Sequence, residues 1–311
     1  MKAYSIFDDF GRSPAEILTN ANVELTIHPF GKNRPDDNEM KQILTIYDCV
    51  IIGTSQKINE HMFDDITSPK IIATASVGLD HIHVPDSKKH LIQIINTPEA
   101  NAQSVAEYTI GCALRCCKRL TEGNDLYRMG KNNKCLSRKP EDLYERSIGI
   151  IGAGNVSVRI MEYADIFGMK IFCWTAHPKK HQDLKRLNVE FVELNELVQK
   201  SDVISVALPN KHETQGLISA ELVNQMKESA IFISVSRLEI VDLDALLKKA
   251  ISFSNFYVCL DIDVDESVVK KLPKIDNFMV TPHIAGGTVE TRKRMFLQVA
   301  QQIADIAKKQ L

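Results

Sequence analysis

Three features of the sequence predict an α/β fold of two doubly wound parallel-sheet lobes. Short β-rich apolar runs recur at intervals of roughly 20 to 30 residues and alternate with helix-periodic stretches, the rhythm of βαβ units. The runs form two series, and a glycine-rich turn between a strand and a helix opens the second. At 311 residues the chain is also about two domains long, on a usual size of roughly 100 to 200 residues each.

The first series predicts five strands, over residues 3–7, 23–27, 49–52, 70–74 and 92–95, with helical segments such as 14–20 and 38–46 between them. Residues 102–129 then carry Val105, Ala106, Ile110, Ala113, Leu114 and Cys117 at helical spacing with no internal Pro, which predicts one long helix passing from one lobe to the other. The polar stretch 131–142 reads as a surface connector, because it is short and has no interleaved aromatics. The second series predicts six strands, over 148–151, 170–174, 203–207, 230–234, 257–261 and 278–281, the strand count of a complete dinucleotide-binding sheet. A final helix, 289–309, is expected to return to the first lobe.

Composition narrows the function classes. With 44% hydrophobic and 25% charged residues the chain can bury a large core, so global disorder is excluded. Lys plus Arg number 38 against 40 Asp plus Glu, which gives no electrostatic reason to expect a nucleic-acid or acidic-membrane partner. No apolar run approaches the roughly 18 residues that span a bilayer. Asp8 and Asp9 stand where a signal peptide needs its apolar core, so a cytoplasmic location is expected. The seven cysteines are odd in number and form no CxxC pair, which suggests free thiols. His81 and His83 lack supporting ligands at metal spacing, and no metal is expected.

The turn Gly152-Ala153-Gly154-Asn155-Val156-Ser157 lies between a strand and an amphipathic helix with Val156, Ile160, Ala164 and Phe167 on one face. Glycines there let the backbone approach a pyrophosphate, whose charge the helix N-terminus stabilises. Ser157 stands where a third glycine is usual, a position that serves helix-to-strand packing. An NAD-preferring site normally has an acid roughly 20 residues on, for the ribose hydroxyls. Here the strand ends at Trp174-Thr175, and residues 170–182 contain no acid. Without that carboxylate a 2′-phosphate meets no repulsion, and Lys179 and Lys180 could attract it, so NADP(H) is slightly favoured over NAD(H).

Three further segments fall at the carboxyl ends of predicted strands, where open α/β sheets bind ligands, and they offer Arg237, Asp261, Glu266 and His283. Glycine loop, Arg, Asp, Glu five residues later, then Pro-His: in this order the pattern resembles the D-isomer-specific 2-hydroxyacid dehydrogenase family. Residues 70–82, 96–111 and 196–219 extend the resemblance over nearly the whole chain.

The resemblance implies a flavodoxin-like substrate-binding domain over 1–98 plus 288–311 and a Rossmann NAD(P)-binding domain over 99–287. It implies hydride transfer between NAD(P)H and a small 2-keto acid or D-2-hydroxy acid. His283 would supply the proton, Glu266 would charge and orient it, and Arg237 would hold the substrate carboxylate and polarise the carbonyl. The backbone amides of Ser76, Val77 and Gly78 would meet the same acid. The implied cofactor site consists of Gly152, Gly154, Asn155, Val156, Thr175, His177, Leu208, Pro209, Thr214, Val235, Ser236, Arg237, Asp261, His283 and Gly286, with Asp261 beside the nicotinamide. Leu238 stands where the family usually has Gly and could crowd that ring. Gly53 stands where the phosphoglycerate branch has an Arg, so an unphosphorylated substrate is favoured. The family commonly forms homodimers. It also includes transcriptional corepressors, which makes a cofactor-sensing interaction protein the alternative.

Overall fold

A computed structural model describes residues 1–263 and 265–309 of the chain, without the side chains of residues 182, 183 and 185. In chain order the elements are β1 (Lys2–Ser5), α1 (Arg12–Asn20), β2 (Glu24–Ile27), α2 (Asp37–Ile46), β3 (Cys49–Ile52), β4 (Lys70–Thr74), β5 (Ile92–Ile95), α3 (Ala102–Cys117) and α4 (Leu120–Arg128). There follow β6 (Ser147–Ile151), α5 (Asn155–Ile166), β7 (Lys170–Trp174), β8 (Glu190–Phe191), α6 (Leu194–Lys200), β9 (Val203–Val206), α7 (Ala220–Gln225) and β10 (Ile231–Ser234). The series ends with α8 (Leu243–Ser252), β11 (Tyr257–Ile262), α9 (Glu266–Val269), β12 (Phe278–Pro282) and α10 (Val289–Lys309). The chain divides into two compact units, Met1–Asn101 with Thr288–Leu311, and Ala102–Gly287. Residues 310 and 311, the end of the expected substrate domain, lie outside the described residues.

The first unit is a parallel sheet in the order β2-β1-β3-β4-β5, the flavodoxin-like arrangement. Every residue of β3 and β4 is buried, which is why both read as continuous apolar runs rather than alternating ones. Asp36 and Glu39 form a reciprocal capping box that starts α2. Helix α10 contributes Phe296, Val299, Ala300 and Ile303 to this core. The Phe296 ring lies 4.8 Å from that of Phe7 and 5.0 Å from that of Phe10.

The second unit is a parallel sheet in the order β12-β11-β10-β9-β6-β7-β8. Its first six strands in chain order follow the doubly wound dinucleotide-binding arrangement, with the order reversing between β6 and β9. One hydrophobic cluster joins α3 and α5 to one face, and a second joins α6, α7 and α8 to the other. Six strands were expected and seven are found; β8 has only two residues, too few to show a periodicity.

The single long helix expected over 102–129 is two helices. Arg119 separates them in a left-handed conformation, φ 53° and ψ 41°. Its guanidinium is buried against Glu122 and Ser137, and it lies over the Tyr257 ring at 5.6 Å. A buried charge needs partners, and breaking the helix brings the connector residue Ser137 to it. Among the described residues no helix is long and apolar enough to cross a membrane.

Replacing Phe296 with Ala removes an aromatic ring that two others enclose. The expected cost is about 3–5 kcal/mol, read from urea unfolding followed by circular dichroism. A loss below about 1 kcal/mol would show that α10 is not integral to this core.

Candidate active site

The turn after β6 is shaped by its glycines. Gly152 adopts φ 113°, donates its N–H to Trp174 O at 2.9 Å, and would place a Cβ 2.7 Å from the Ala207 carbonyl oxygen. Only glycine fits there. Gly154 is the N-cap of α5, has no side chain to satisfy the first-turn N–H groups, and faces open space where a Cβ would touch nothing within 4 Å. The combination fits a dinucleotide phosphate: the backbone can be approached closely and the helix offers donors and positive potential. Ser157 is fully buried, consistent with a packing position.

Thr175 directly follows β7, and its hydroxyl accepts from the His177 N–H at 3.4 Å. Residues 176–180, including Lys179 and Lys180, are exposed. Beyond β9 and β10, the buried Ser236 ties the two strand ends together by accepting from Leu208 N at 2.8 Å and donating to Val206 O at 3.2 Å. Leu208, Pro209, Val235 and Ser236 therefore sit at adjacent strand ends. Thr214 lies in the loop between β9 and α7. Its hydroxyl donates to Pro209 O at 2.7 Å and accepts from Lys211 N at 2.9 Å, so it closes its own loop. Leu238 is half-buried and packs against the core of this unit.

Arg237 after β10 and His283 after β12 meet, with Arg237 Nη1 3.4 Å from His283 Nε2. A guanidinium can only donate, so Nε2 is the acceptor in this geometry and the ring proton sits on Nδ1. That nitrogen lies 2.7 Å from Asp263 Oδ1, and Asp263 Oδ2 lies 3.9 Å from Arg237 Nη1. Glu266 is not the partner. Asp265 caps the short helix α9 by accepting from Ser267 N at 2.7 Å; Glu266 is its first residue, 91% exposed, with its carboxylate 3.9 Å from Lys270. A helix that starts at residue 266 turns that side chain to solvent, and the nearer Asp263 takes the ring.

Asp261 also departs from expectation. It is 3% exposed, and instead of projecting toward a ligand its carboxylate accepts from Thr281 Oγ1 at 2.6 Å, Ile284 N at 2.8 Å and Ala285 N at 2.8 Å. Thr281 Oγ1 lies 2.6 Å from the hydroxyl of Tyr108 on α3. Burial pushes the Tyr108 phenol well above its ordinary value, so it stays protonated. Gly286 follows in the same turn, half-buried. Asp263, Thr281 and Tyr108 were not singled out from the sequence. Only Asp263 offers a signal there, as a second acid two residues beyond Asp261.

In the first unit, Ser76, Val77 and Gly78 follow β4. All three carbonyls turn inward: Thr97 N and Oγ1 donate to Ser76 O, Asn96 Nδ2 to Val77 O, and Ser76 Oγ to Gly78 O. Thr74 Oγ1, 2.8 Å from Ser76 Oγ and 2.9 Å from His81 Nε2, completes the buried network. Among the described residues, none of the three N–H groups donates to the protein. Three adjacent backbone donors that the protein does not use are available to an acceptor from outside it.

Residues 110–285 match the model of the D-isomer-specific 2-hydroxyacid dehydrogenase NAD-binding domain. The hydroxypyruvate reductase of Thermotoga maritima is 30% identical over 301 residues, 95% of each chain. The glyoxylate reductase of Thermofilum pendens is 30% identical over 291 residues, 92% of this chain and 86% of that one. Among solved structures, the Aquifex aeolicus D-lactate dehydrogenase complexed with NAD and lactic acid superposes with a TM-score of 0.78 at 26% identity, over 99% of this chain and 96% of that one. These relatives are reductases and dehydrogenases, and none of them favours the corepressor reading. With the glycine turn and the Arg–His pair in place, the chain belongs to the D-isomer-specific 2-hydroxyacid dehydrogenase family, as an oxidoreductase with a nicotinamide cofactor.

Proposed function

We propose that the protein reduces a small, unphosphorylated 2-keto acid to the D-2-hydroxy acid with NAD(P)H, and catalyses the reverse reaction. The observation that carries this reading is the convergence of Arg237, His283 and Asp263 at the strand ends of the sheet whose first strand, β6, runs into the glycine turn. When bound, the dihydronicotinamide supplies the hydride. As hydride reaches the carbonyl carbon, negative charge grows on the oxygen and must be met by a proton and a fixed cation. His283 takes up a second proton at Nε2 and delivers it from there. Asp263 holds the ring through Nδ1–H and offsets the charge of the doubly protonated imidazole. Arg237 stays charged throughout, and its planar fork suits a carboxylate and the polarised carbonyl together.

The free amides of Ser76, Val77 and Gly78 suit a carboxylate. Gly53 gives no cation for a phosphate, and a Cβ there would lie 2.8 Å from the Phe7 ring. Gly152, Gly154, Asn155 and Val156 would hold the cofactor phosphates, with Thr175 and His177 at the adenosine ribose. The missing acid after β7 and the exposed Lys179 and Lys180 support NADP(H) over NAD(H). A homodimer is supported by α4, which buries none of its residues and leaves Leu120 60%, Tyr127 83% and the adjoining Met129 67% exposed.

NADPH oxidation assayed with glyoxylate, hydroxypyruvate and pyruvate should fall about 10²-fold or more in His283→Ala. Asp263→Asn should lose more activity than Glu266→Gln; the opposite order would return the pairing to Glu266. kcat/KM should be higher with NADPH than with NADH, and Lys179→Ala with Lys180→Ala should narrow the ratio. An unchanged ratio removes the lysines from the cofactor site. Light scattering after gel filtration should give twice the 35.0 kDa chain mass, reduced to one chain by Tyr127→Lys with Met129→Lys. A monomeric parent protein at micromolar concentration rejects the dimer.

A further inference from the structure

We propose that Tyr108 and Thr281, acting through the buried carboxylate of Asp261, are positioning residues that fix the turn carrying His283. This rests on the reading of His283 as the proton donor.

The direction of the hydrogen bonds follows from valence. An ionised Asp261 can only accept, so the 2.6 Å contact with Thr281 Oγ1 takes the single hydroxyl proton of Thr281. Thr281 then meets Tyr108 as an acceptor, and the Tyr108 phenol is the donor at 2.6 Å. The chain therefore runs Tyr108 O–H to Thr281 O–H to Asp261, across 173 residues of sequence. Asp261 in turn accepts from Ile284 N and Ala285 N, the two amides that follow His283.

His283 needs this restraint. Its backbone is left-handed, φ 50°, a conformation that is unfavourable for a non-glycine residue and persists only where the surroundings impose it. Among the described residues its ring meets Asp263, whose side chain is 70% exposed, and Arg237. The buried half of the support is the carboxylate behind the turn. Removing either hydroxyl leaves that buried carboxylate with fewer or weaker hydrogen bonds, and the amides it holds should loosen. At its far end the chain is anchored on α3, which packs against α5 and β10. The proton donor is thus tied to a rigid helix rather than to the loops around it.

The test reads hydrogen exchange of the Ile284 and Ala285 amides in the cofactor-free protein by NMR, alongside steady-state kinetics of keto-acid reduction. In Thr281→Val, exchange at both amides should quicken about tenfold while Val258 in β11 is unchanged, and kcat should fall about tenfold at constant KM. Thr281→Ser should restore both, because it keeps the hydroxyl. Tyr108→Phe should move both readouts in the same direction by less, and the double variant should be no worse than Thr281→Val. The proposal is overturned if Thr281→Val leaves the two amides and kcat unaltered, or if Thr281→Ser is as impaired as Thr281→Val. Should Thr281→Val not fold, Tyr108→Phe decides on the same two readouts, and no change in either overturns it. If the parent protein turns over no keto acid, the assigned reaction fails, while the exchange measurement still accepts or rejects the relay.

Discussion

A buried carboxylate with no cation beside it among the described residues must find its hydrogen-bond donors in the fold, and the donors Asp261 finds are the next strand and the turn that follows it. Its oxygens take the hydroxyl of Thr281 and the amides of Ile284 and Ala285, so β11 and β12 are joined by a side chain beyond their ladder. Two residues further along β11's exit, Asp263 reaches the imidazole of His283 from the opposite, solvated side. One strand end thereby controls both the backbone and the ring of the same histidine. The division follows from depth: the carboxylate inside the protein can fix geometry, while the exposed one can respond to charge on the ring.

The same topology explains why the remaining groups collect where they do. In a parallel sheet every strand exits on one side, so the loops after β6, β9, β10, β11 and β12 lie together whatever their separation in sequence. The order reverses between β6 and β9, which opens the space beside the glycine turn. Gly152 is pressed against the Ala207 carbonyl at the exit of β9, so the turn and its neighbour are fitted closely. Ser236 performs the matching task between β9 and β10 with a hydroxyl rather than by close approach.

Much of this was legible in the sequence because parallel strands buried on both faces read as uninterrupted apolar runs. β3, β4, β5 and β7 match their expected bounds, as does α10. The break at Arg119 was not legible, since no Pro marks it and the cause is a buried guanidinium seeking partners in a later loop. Arg237 and His283 were found because a strand end and a charged residue type suffice to nominate them. The family resemblance implies Glu266 as the partner of His283, but a short helix begins at that residue and turns it outward. Tyr108 and Thr281 carried no signal, because a hydroxyl becomes informative only once its neighbour across the fold is known.

Two departures from the family pattern then have a common explanation in packing. Ser157 is admitted in place of a glycine because a small side chain fits at this fully buried position of α5. Leu238 follows Arg237 without obstructing it because a 3₁₀ turn over Leu238–Ile240 carries the leucine side chain against the core. The departure after β7 is of another kind. Thr175 and the exposed Lys179 and Lys180 lie on the solvent side, where no packing constrains them, so the change from acid to neutral and basic residues alters what the surface can attract while leaving the fold as it is.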